Sequence, residues 1–455
     1  MRRPNILVIM TDQQNADAMS NRGNADLSTP HMDRLAREGT RYDRAYTAFP
    51  LCNPARASMM TGKWPHQLGT MINNSPLPEA AIARSVGPLM RQAGYRTGWG
   101  GKWHVPAVDL GDAAEDFGFE NVCGFSDTHL PAACEAFIRQ ADDRPFLLFA
   151  SFDNPHNICE HGRDQVLPWG EVETSEDLPL DYPNLPLNHA RPAFEARVLA
   201  DLRKTMPPEQ YGFTEERWRR FRHVYFRLVE KVDAQIGQLL AVLDDTGLAE
   251  ETVVIFLSDH GEHNGAHGLL QKSLSYEESI RVPFIVRAPG QPDGQVSDAM
   301  VNTGLDLLPT LLDYAGAKFP EGLTGRSVRP VAQGETPEDW RDAVFVESRI
   351  DWTDIELRCL RSERYKYTVY DRGQYREMLF DLEADPGELR NLAVERRYAE
   401  VLDAHRRRLF DWCRETGDTF ARHSSHDAWP VIPGPGYRGA PPRPTFKVPD
   451  QKNRN

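Results

Sequence analysis

The stretch richest in chemistry runs from Cys52 to Gly62 and reads Cys-Asn-Pro-Ala-Arg-Ala-Ser-Met-Met-Thr-Gly. A loop carrying Pro50 brings the chain to Cys52, and the residues that follow are compatible with a helix that stops at Gly62. A thiol at a helix N-terminus sits among unpaired N–H groups at the positive end of the dipole, which lowers its pKa and favours a bound anion. Arg56, four residues on, shares that side of the helix. A nucleophile and a fixed cation therefore point into one small volume. The competing reading of Cys52 is a buried free thiol, the usual fate of a lone cysteine.

Further chemistry is dropped at the ends of apolar runs. Asn5–Met10 is a continuous apolar segment of the kind buried in a parallel sheet, and it delivers Asp12 and Gln13. Thr252–Leu257 delivers Asp259 and His260, Pro145–Phe152 leads to Asp153-Asn154-Pro155-His156, and Arg96–Trp99 opens the loop holding Lys102 and His104. In open α/β sheets, ligands bind beyond the C-terminal ends of the strands. Asp12 with Gln13 and Asp259 with His260 offer carboxylate, amide and imidazole ligands that suit Ca²⁺ or Mg²⁺, although a single strand-end Asp is as often a helix cap. His263 and His267 have His-x-x-x-His spacing but lack the Glu and third ligand of a zinc protease, so they read as pocket wall or surface.

The spacing Cys-x-Pro-x-Arg, with Thr61-Gly62 closing the run, resembles the type I sulfatases of the alkaline phosphatase-like superfamily. The resemblance extends over most of the chain. Asp12, Cys52, Asp259 and His260 match the family's metal positions, Lys102 and His104 its Gly-Lys-x-His loop, His156 its Pro-His pair and Lys272 its second lysine. It implies that Cys52 is oxidised to formylglycine (3-oxoalanine) by a formylglycine-generating enzyme. It also implies one Ca²⁺, or Mg²⁺, held by Asp12, Gln13, residue 52, Asp259 and His260. In the family the hydrated aldehyde attacks sulfur in line and expels the alcohol. Arg56, Lys102 and Lys272 would neutralise the transferring oxygens, His156 would protonate the leaving alcohol, and His104 would help eliminate sulfate. Gln13 and His260 stand where many members carry Asp and Asn, which removes a negative charge. A phosphodiesterase or phosphonate monoester hydrolase of the same superfamily is the alternative, and a non-catalytic anion-binding relative is the third reading.

These residues need a frame, and the alternation of strands and helices supplies one. It predicts an α/β fold with a large doubly wound, mostly parallel sheet flanked by helices over residues 1–335. A smaller C-terminal α+β domain with an antiparallel sheet and a closing helix is expected over 336–428, and a Pro-rich extended tail over 429–455. Expected helices include Pro30–Glu38 with Thr29 as N-cap, Ser85–Ala93, a long one over Thr214–Asp245, Leu305–Ala315 and Glu395–Cys413. A single strand is expected over Thr40–Ala48. The basic run His405–Arg408 reads as a solvated helix face. Cys159–Tyr211 is irregular, and this excursion is expected to form a pocket wall beside the leaving group.

With 455 residues, 40% apolar and 26% charged, the chain is a globular protein too long for one ordinary core. A net charge of −14 excludes a broad basic face for nucleic acid. The apolar run after Arg2-Arg3 is too short for a signal peptide, and no stretch of about 18 apolar residues occurs. Six cysteines without metal-type spacing fit a reducing compartment, so a cytoplasmic enzyme with no membrane partner is expected. The expected substrate is a small sulfated carbohydrate, a mono- or disaccharide end. Trp169, Tyr182, His161, Arg163 and Arg191 offer stacking, hydrogen-bonding and carboxylate-binding groups, and Asn154–Glu160 is similar to sulfatases of glycosaminoglycan fragments, including those acting on uronate 2-sulfates.

Overall fold

The computed structural model describes residues 3–105, 114–140, 142–172, 182–205, 213–351 and 353–420. Fourteen strands occur among these, numbered here in chain order: β1 Asn5–Asp12, β2 Thr40–Tyr42, β3 Ala45–Tyr46, β4 Arg96–Gly101, β5 Glu120–Cys123, β6 Phe146–Pro155, β7 Thr252–Ser258, β8 Phe284–Arg287, β9 Gln295–Ser297, β10 Val301–Asn302, β11 Ala343–Arg349, β12 Glu356–Ser362, β13 Tyr365–Tyr370 and β14 Glu377–Asp381. The large sheet runs β5-β4-β6-β1-β7-β8-β2-β9. Its pairs from β5 across to β7 are parallel, whereas β8 is antiparallel to both its neighbours. The sheet is thus mixed and mostly parallel, as the sequence pattern predicts.

β1 shows why a continuous apolar run marks a central strand. Ile6, Val8 and Met10 face a layer that includes Met59, Met60, Val86 and Leu311, while Leu7 and Ile9 face one that includes Met32, Leu35, Phe137 and Val232. Both faces are buried, so no polar position alternates with the apolar ones. The second layer is dominated by the helix Glu215–Asp245, whose Val224, Leu228, Val232, Ile236 and Leu239 are all fully buried. Thr214 Oγ1 caps that helix by accepting from Arg217 N at 3.2 Å.

Several local expectations change. Thr29 does not cap the helix Pro30–Arg37; its Oγ1 accepts from Ser20 N, and the cap comes from Asp233 on the long helix, which accepts from His31 N at 3.2 Å and Met32 N at 2.8 Å. The strand expected over residues 40–48 is two: β2 joins the large sheet, and β3 leaves it to pair with β10. The helix Leu130–Ile138 and the edge strands β5 and β9 carry no strong sequence period, and the excursion includes a helix at Arg197–Thr205.

β11 to β14 form a separate antiparallel sheet, closed by the helix Ala399–Thr416. Only half of the basic run on that helix is a solvated face: Arg407 is exposed and Arg408 partly so, but His405 and Arg406 are buried, and Arg406 Nη2 meets Glu377 Oε2 at 2.6 Å. The tail over 429–455 lies outside the described residues. No helix among the described residues is long and apolar enough to cross a membrane, and all six cysteines are free thiols.

Candidate active site

Four parallel neighbours, β4, β6, β1 and β7, end on the same edge of the sheet and deliver Lys102, Asp153 with His156, Asp12 with Gln13, and Asp259 with His260. The helix Cys52–Thr61 points its N-terminus at that edge, with Cys52 as its first residue and every residue buried. It reaches this position by packing on the helix Thr303–Tyr314, where Gly304 permits the approach: a Cβ there would meet Ala48 Cβ at 2.6 Å and Ser58 Cβ at 3.0 Å. Gly101 does the same for Lys102. Its φ is +84°, and a Cβ would lie 2.0 Å from Ser151 O, the atom that accepts from Lys102 N at 2.8 Å.

Cys52 Sγ is the focus. It lies 3.2 Å from His260 Nε2, 3.6 Å from Asp12 Oδ1 and 3.3 Å from Lys272 Nζ. Burial and Asp12 oppose a thiolate, yet Lys272, His260 and Lys102 together hold the thiol well below its ordinary value. His260 Nδ1 donates to Gly261 O at 3.0 Å, which leaves the Nε2 lone pair turned to the cluster. Asp12, Cys52, Asp259 and His260 offer four ligating atoms within 4.8 Å of one another. Burial and the charge of Asp12 push the Asp259 carboxyl up to about 6, the strain of two buried carboxylates facing each other. A divalent cation between them would relieve it, and the two carboxylates, the imidazole and residue 52 form a donor set that fits one.

Arg56 is fully buried and engaged on every side. Its Nε donates to Asp259 Oδ2 at 2.8 Å and Nη2 to Asp12 Oδ2 at 3.1 Å, while Nη1 meets Lys102 O at 2.8 Å, Ser151 Oγ at 3.0 Å and Trp103 O at 3.3 Å. It fixes both carboxylates and the Lys102 loop, so its charge reaches a transferring group chiefly through the residues it holds. Lys102 Nζ lies 2.8 Å from Asp12 Oδ2 and 2.9 Å from Asp153 Oδ1. Gln13 Oε1 accepts from Lys272 Nζ at 2.5 Å, and its amide nitrogen donates to Glu262 and, at 3.2 Å, to Cys159 Sγ. Gln13, His104, Gln271 and Ser273 all have positive φ without being glycine, a concentration of backbone strain around one centre.

His156 shows 24% side-chain exposure and stands 3.9 Å from Asp153 Oδ1; burial, Lys102 and Lys272 lower its pKa. His104 is tied to the helix through Asn53 Nδ2, which donates to His104 O at 3.4 Å, and its Nδ1 is buried without a partner. Asp153, Glu262 and Ser151 take part without having been singled out from the sequence. Asp153 follows an apolar strand as Asp12 and Asp259 do, and that pattern was the signal to read.

His263 and His267 belong to neither pocket wall nor surface. Both are buried around Tyr276, with His267 stacked on it at 4.0 Å. His267 lies within ligand reach of Glu278 and Glu388, but the Lys366 ammonium already sits 2.6 Å from Glu388 Oε1. In the excursion, Trp169 Nε1 donates to Asp153 Oδ2 at 3.0 Å, and Arg163 is exposed on a cleft with Cys159, Leu270 and Gln271. His161 and Tyr182 instead pack on Phe221 and His223 of the long helix, and Arg191 is exposed.

The family model described as Sulfatase matches residues 4–317, across every strand end that builds this centre. The chain belongs to the sulfatase family. It is a sulfuric ester hydrolase, and a second model, N-sulphoglucosamine sulphohydrolase, C-terminal, matches residues 265–415. This sulfatase is 29% identical to a Delta 4,5-hexuronate-2-O-sulfatase of Bacteroides thetaiotaomicron, over 96% of each chain. It is 30% identical to a choline-sulfatase of Rhizobium meliloti, over 94% of this chain and 91% of that one. A solved 2-O GAG sulfatase superposes with a TM-score of 0.79 at 28% identity, covering 95% of this chain and 99% of that one.

Proposed function

We propose that this sulfatase hydrolyses the sulfate ester of a small sulfated sugar, with Cys52 converted to formylglycine as its nucleophile. The observation that carries the reading is the convergence of Lys272, His260 and Asp12 on Cys52 Sγ at 3.2 to 3.6 Å, at the N-terminus of a buried helix. Asp12, Asp259, His260 and the modified residue 52 would hold one Ca²⁺ or Mg²⁺. Gln13 Oε1 would be a fifth ligand, through the lone pair that Lys272 leaves free. The cation would supply positive charge opposite the transferring sulfate, and hydrated formylglycine would supply the attacking hydroxyl.

The chain's own groups do the rest. Lys102 and Lys272 donate N–H groups to the sulfate oxygens as the S–O bond lengthens. Arg56 keeps Asp12 and Asp259 in place. His156, on the open side of the centre, gives a proton to the leaving alcohol, and His104, with an unpartnered ring nitrogen, takes one when sulfate is expelled. The six free thiols favour a reducing compartment and action with a formylglycine-generating enzyme during synthesis.

A sugar uronate 2-sulfate is the favoured substrate. The relative named Delta 4,5-hexuronate-2-O-sulfatase supports this, as does Arg163, an exposed cation on the cleft it shares with Cys159 and Gln271. Protein co-expressed with a formylglycine-generating enzyme should turn over sulfated uronides faster than choline sulfate, an aryl sulfate or a phosphate diester. Cys52→Ala protein matching its activity would overturn the nucleophile. A non-sugar ester ahead by tenfold in kcat/KM, about 1.4 kcal/mol, would overturn the substrate class.

A further inference from the structure

Asp153 has no assigned role, yet three parts of the centre meet on it. It is 3% exposed at the end of β6. Its Oδ1 accepts from Lys102 Nζ at 2.9 Å, and its Oδ2 accepts from Asn157 Nδ2 at 2.6 Å and Trp169 Nε1 at 3.0 Å. His156 Nδ1 stands 3.9 Å from Oδ1, and His156 N donates to Asp153 O at 3.0 Å. From behind, Asp127 accepts from Asp153 N at 2.7 Å and from Asn154 N and Nδ2 at 2.9 Å, which fixes the backbone.

The geometry points to Asp153 as the positioning residue of the leaving-group side. It anchors the Lys102 ammonium and sets a negative charge against the His156 imidazole, while the Trp169 N–H, arriving from the excursion, locks the carboxylate's orientation. The inference rests on the sulfatase reading. His156 must carry a proton in order to give one; burial, Lys102 and Lys272 work against that, and the carboxylates of Asp12 and Asp153 oppose them. Asp12 is already held by Arg56 and Lys102, whereas Asp153, 3.9 Å from His156 Nδ1 on the same strand end, adds opposing charge without closing on the ring, which stays free to turn toward the leaving oxygen. Asp153 therefore matters in proportion to the proton demand of the alcohol. A sugar alkoxide needs that proton; a nitrophenolate leaves without it.

The test compares converted wild-type enzyme with Asp153→Asn and Trp169→Phe on two substrates, a sugar sulfate and 4-nitrophenyl sulfate, with metal content and formylglycine fraction measured for each protein. Asp153→Asn should lower kcat on the sugar sulfate about 100-fold and on the aryl sulfate less than about fivefold. Trp169→Phe should shift the same ratio in the same direction by about tenfold, and it carries the test if Asp153→Asn fails to fold. Asp153→Glu should recover part of the sugar-sulfate rate. Equal losses on both substrates, which a structural role would give, or no loss on either, would overturn the inference. Wild-type inactivity on every sulfate ester would show before any variant is compared, and would bring down the sulfatase reading itself.

Discussion

Replacing Arg56 by lysine keeps the charge and removes the fork, so it isolates what the geometry of the guanidinium does. Arg56 serves five acceptors from three nitrogens, two of them carboxylates on different strand ends. An ammonium has three N–H groups at one point and cannot span this set. Asp12 Oδ2 and Lys102 O keep donors in Lys102 Nζ and Ser151 Oγ, but Asp259 Oδ2, Trp103 O and Ser151 Oγ rely on Arg56 at separate points of a buried pocket, so about two are left unmet. At about 1–3 kcal/mol for each buried acceptor left without a donor, the loss should be about 3 kcal/mol. At about 2 °C per kcal/mol for a chain of this size, Tm should fall by roughly 6 °C. Arg56→Ala takes the guanidinium from both Asp12 and Asp259, leaving Asp12 only the Lys102 ammonium, and should cost about 3–5 kcal/mol. Thermal unfolding of unconverted protein is the assay, because Arg56 lies within the motif that the modifying enzyme reads. A Tm for Arg56→Lys within about 1 °C of wild type would refute the claim that this fork holds the two carboxylates.

Other outcomes follow from the same geometry. Asp259→Ala should abolish stoichiometric divalent-cation binding and activity together, read by metal analysis and turnover on one preparation; full activity after verified metal removal would contradict the proposed centre. Lys272→Ala should lower kcat about 100- to 1,000-fold, the scale of losing one preorganised donor, with little change in Tm. Burial pushes the His263 imidazole down to about 3, and both ring nitrogens lack partners. Below its ordinary value of 6.5 the unfolded chain therefore takes up a proton that the folded chain refuses, so stability falls as pH drops, by about 2 kcal/mol at pH 5 from this group. Urea unfolding of wild type and His263→Phe at about pH 7.5 and 5 should show that acid loss shrinking in the variant, and equal losses would rule it out.

The large sheet and most of the centre were legible in the sequence because both rest on one pattern, an apolar run followed at once by polar residues. Asp12, Lys102, His156 and Asp259 all carry it. What was not legible depends on partners far along the chain. Thr29 looks like a cap, but Asp233, some 200 residues away, takes that position and frees the threonine for Ser20. His263, His267 and Arg406 look exposed by type, and their burial comes from Tyr276 and Glu377, which the fold alone brings to them. Arg56 is the sharpest case. Its presence in the motif was plain, but its five acceptors come from β1, β6 and the loops after β4 and β7, and no local pattern records that convergence.

Lys272 has no strand or helix of its own. Its segment hangs between two anchors: Ser273 N donates to Pro50 O at 3.0 Å on the loop before Cys52, and Ser348 Oγ of β11 donates to Ser273 O at 2.8 Å. The small sheet is therefore part of the instrument and not an appendage. A chimera that joined this large sheet to another relative's C-terminal lobe would inherit every ligand and still misplace one lysine, unless a donor equivalent to Ser348 came with the graft. Recombination among relatives should tolerate crossovers within the outer helices far better than any that separates residue 273 from residue 348.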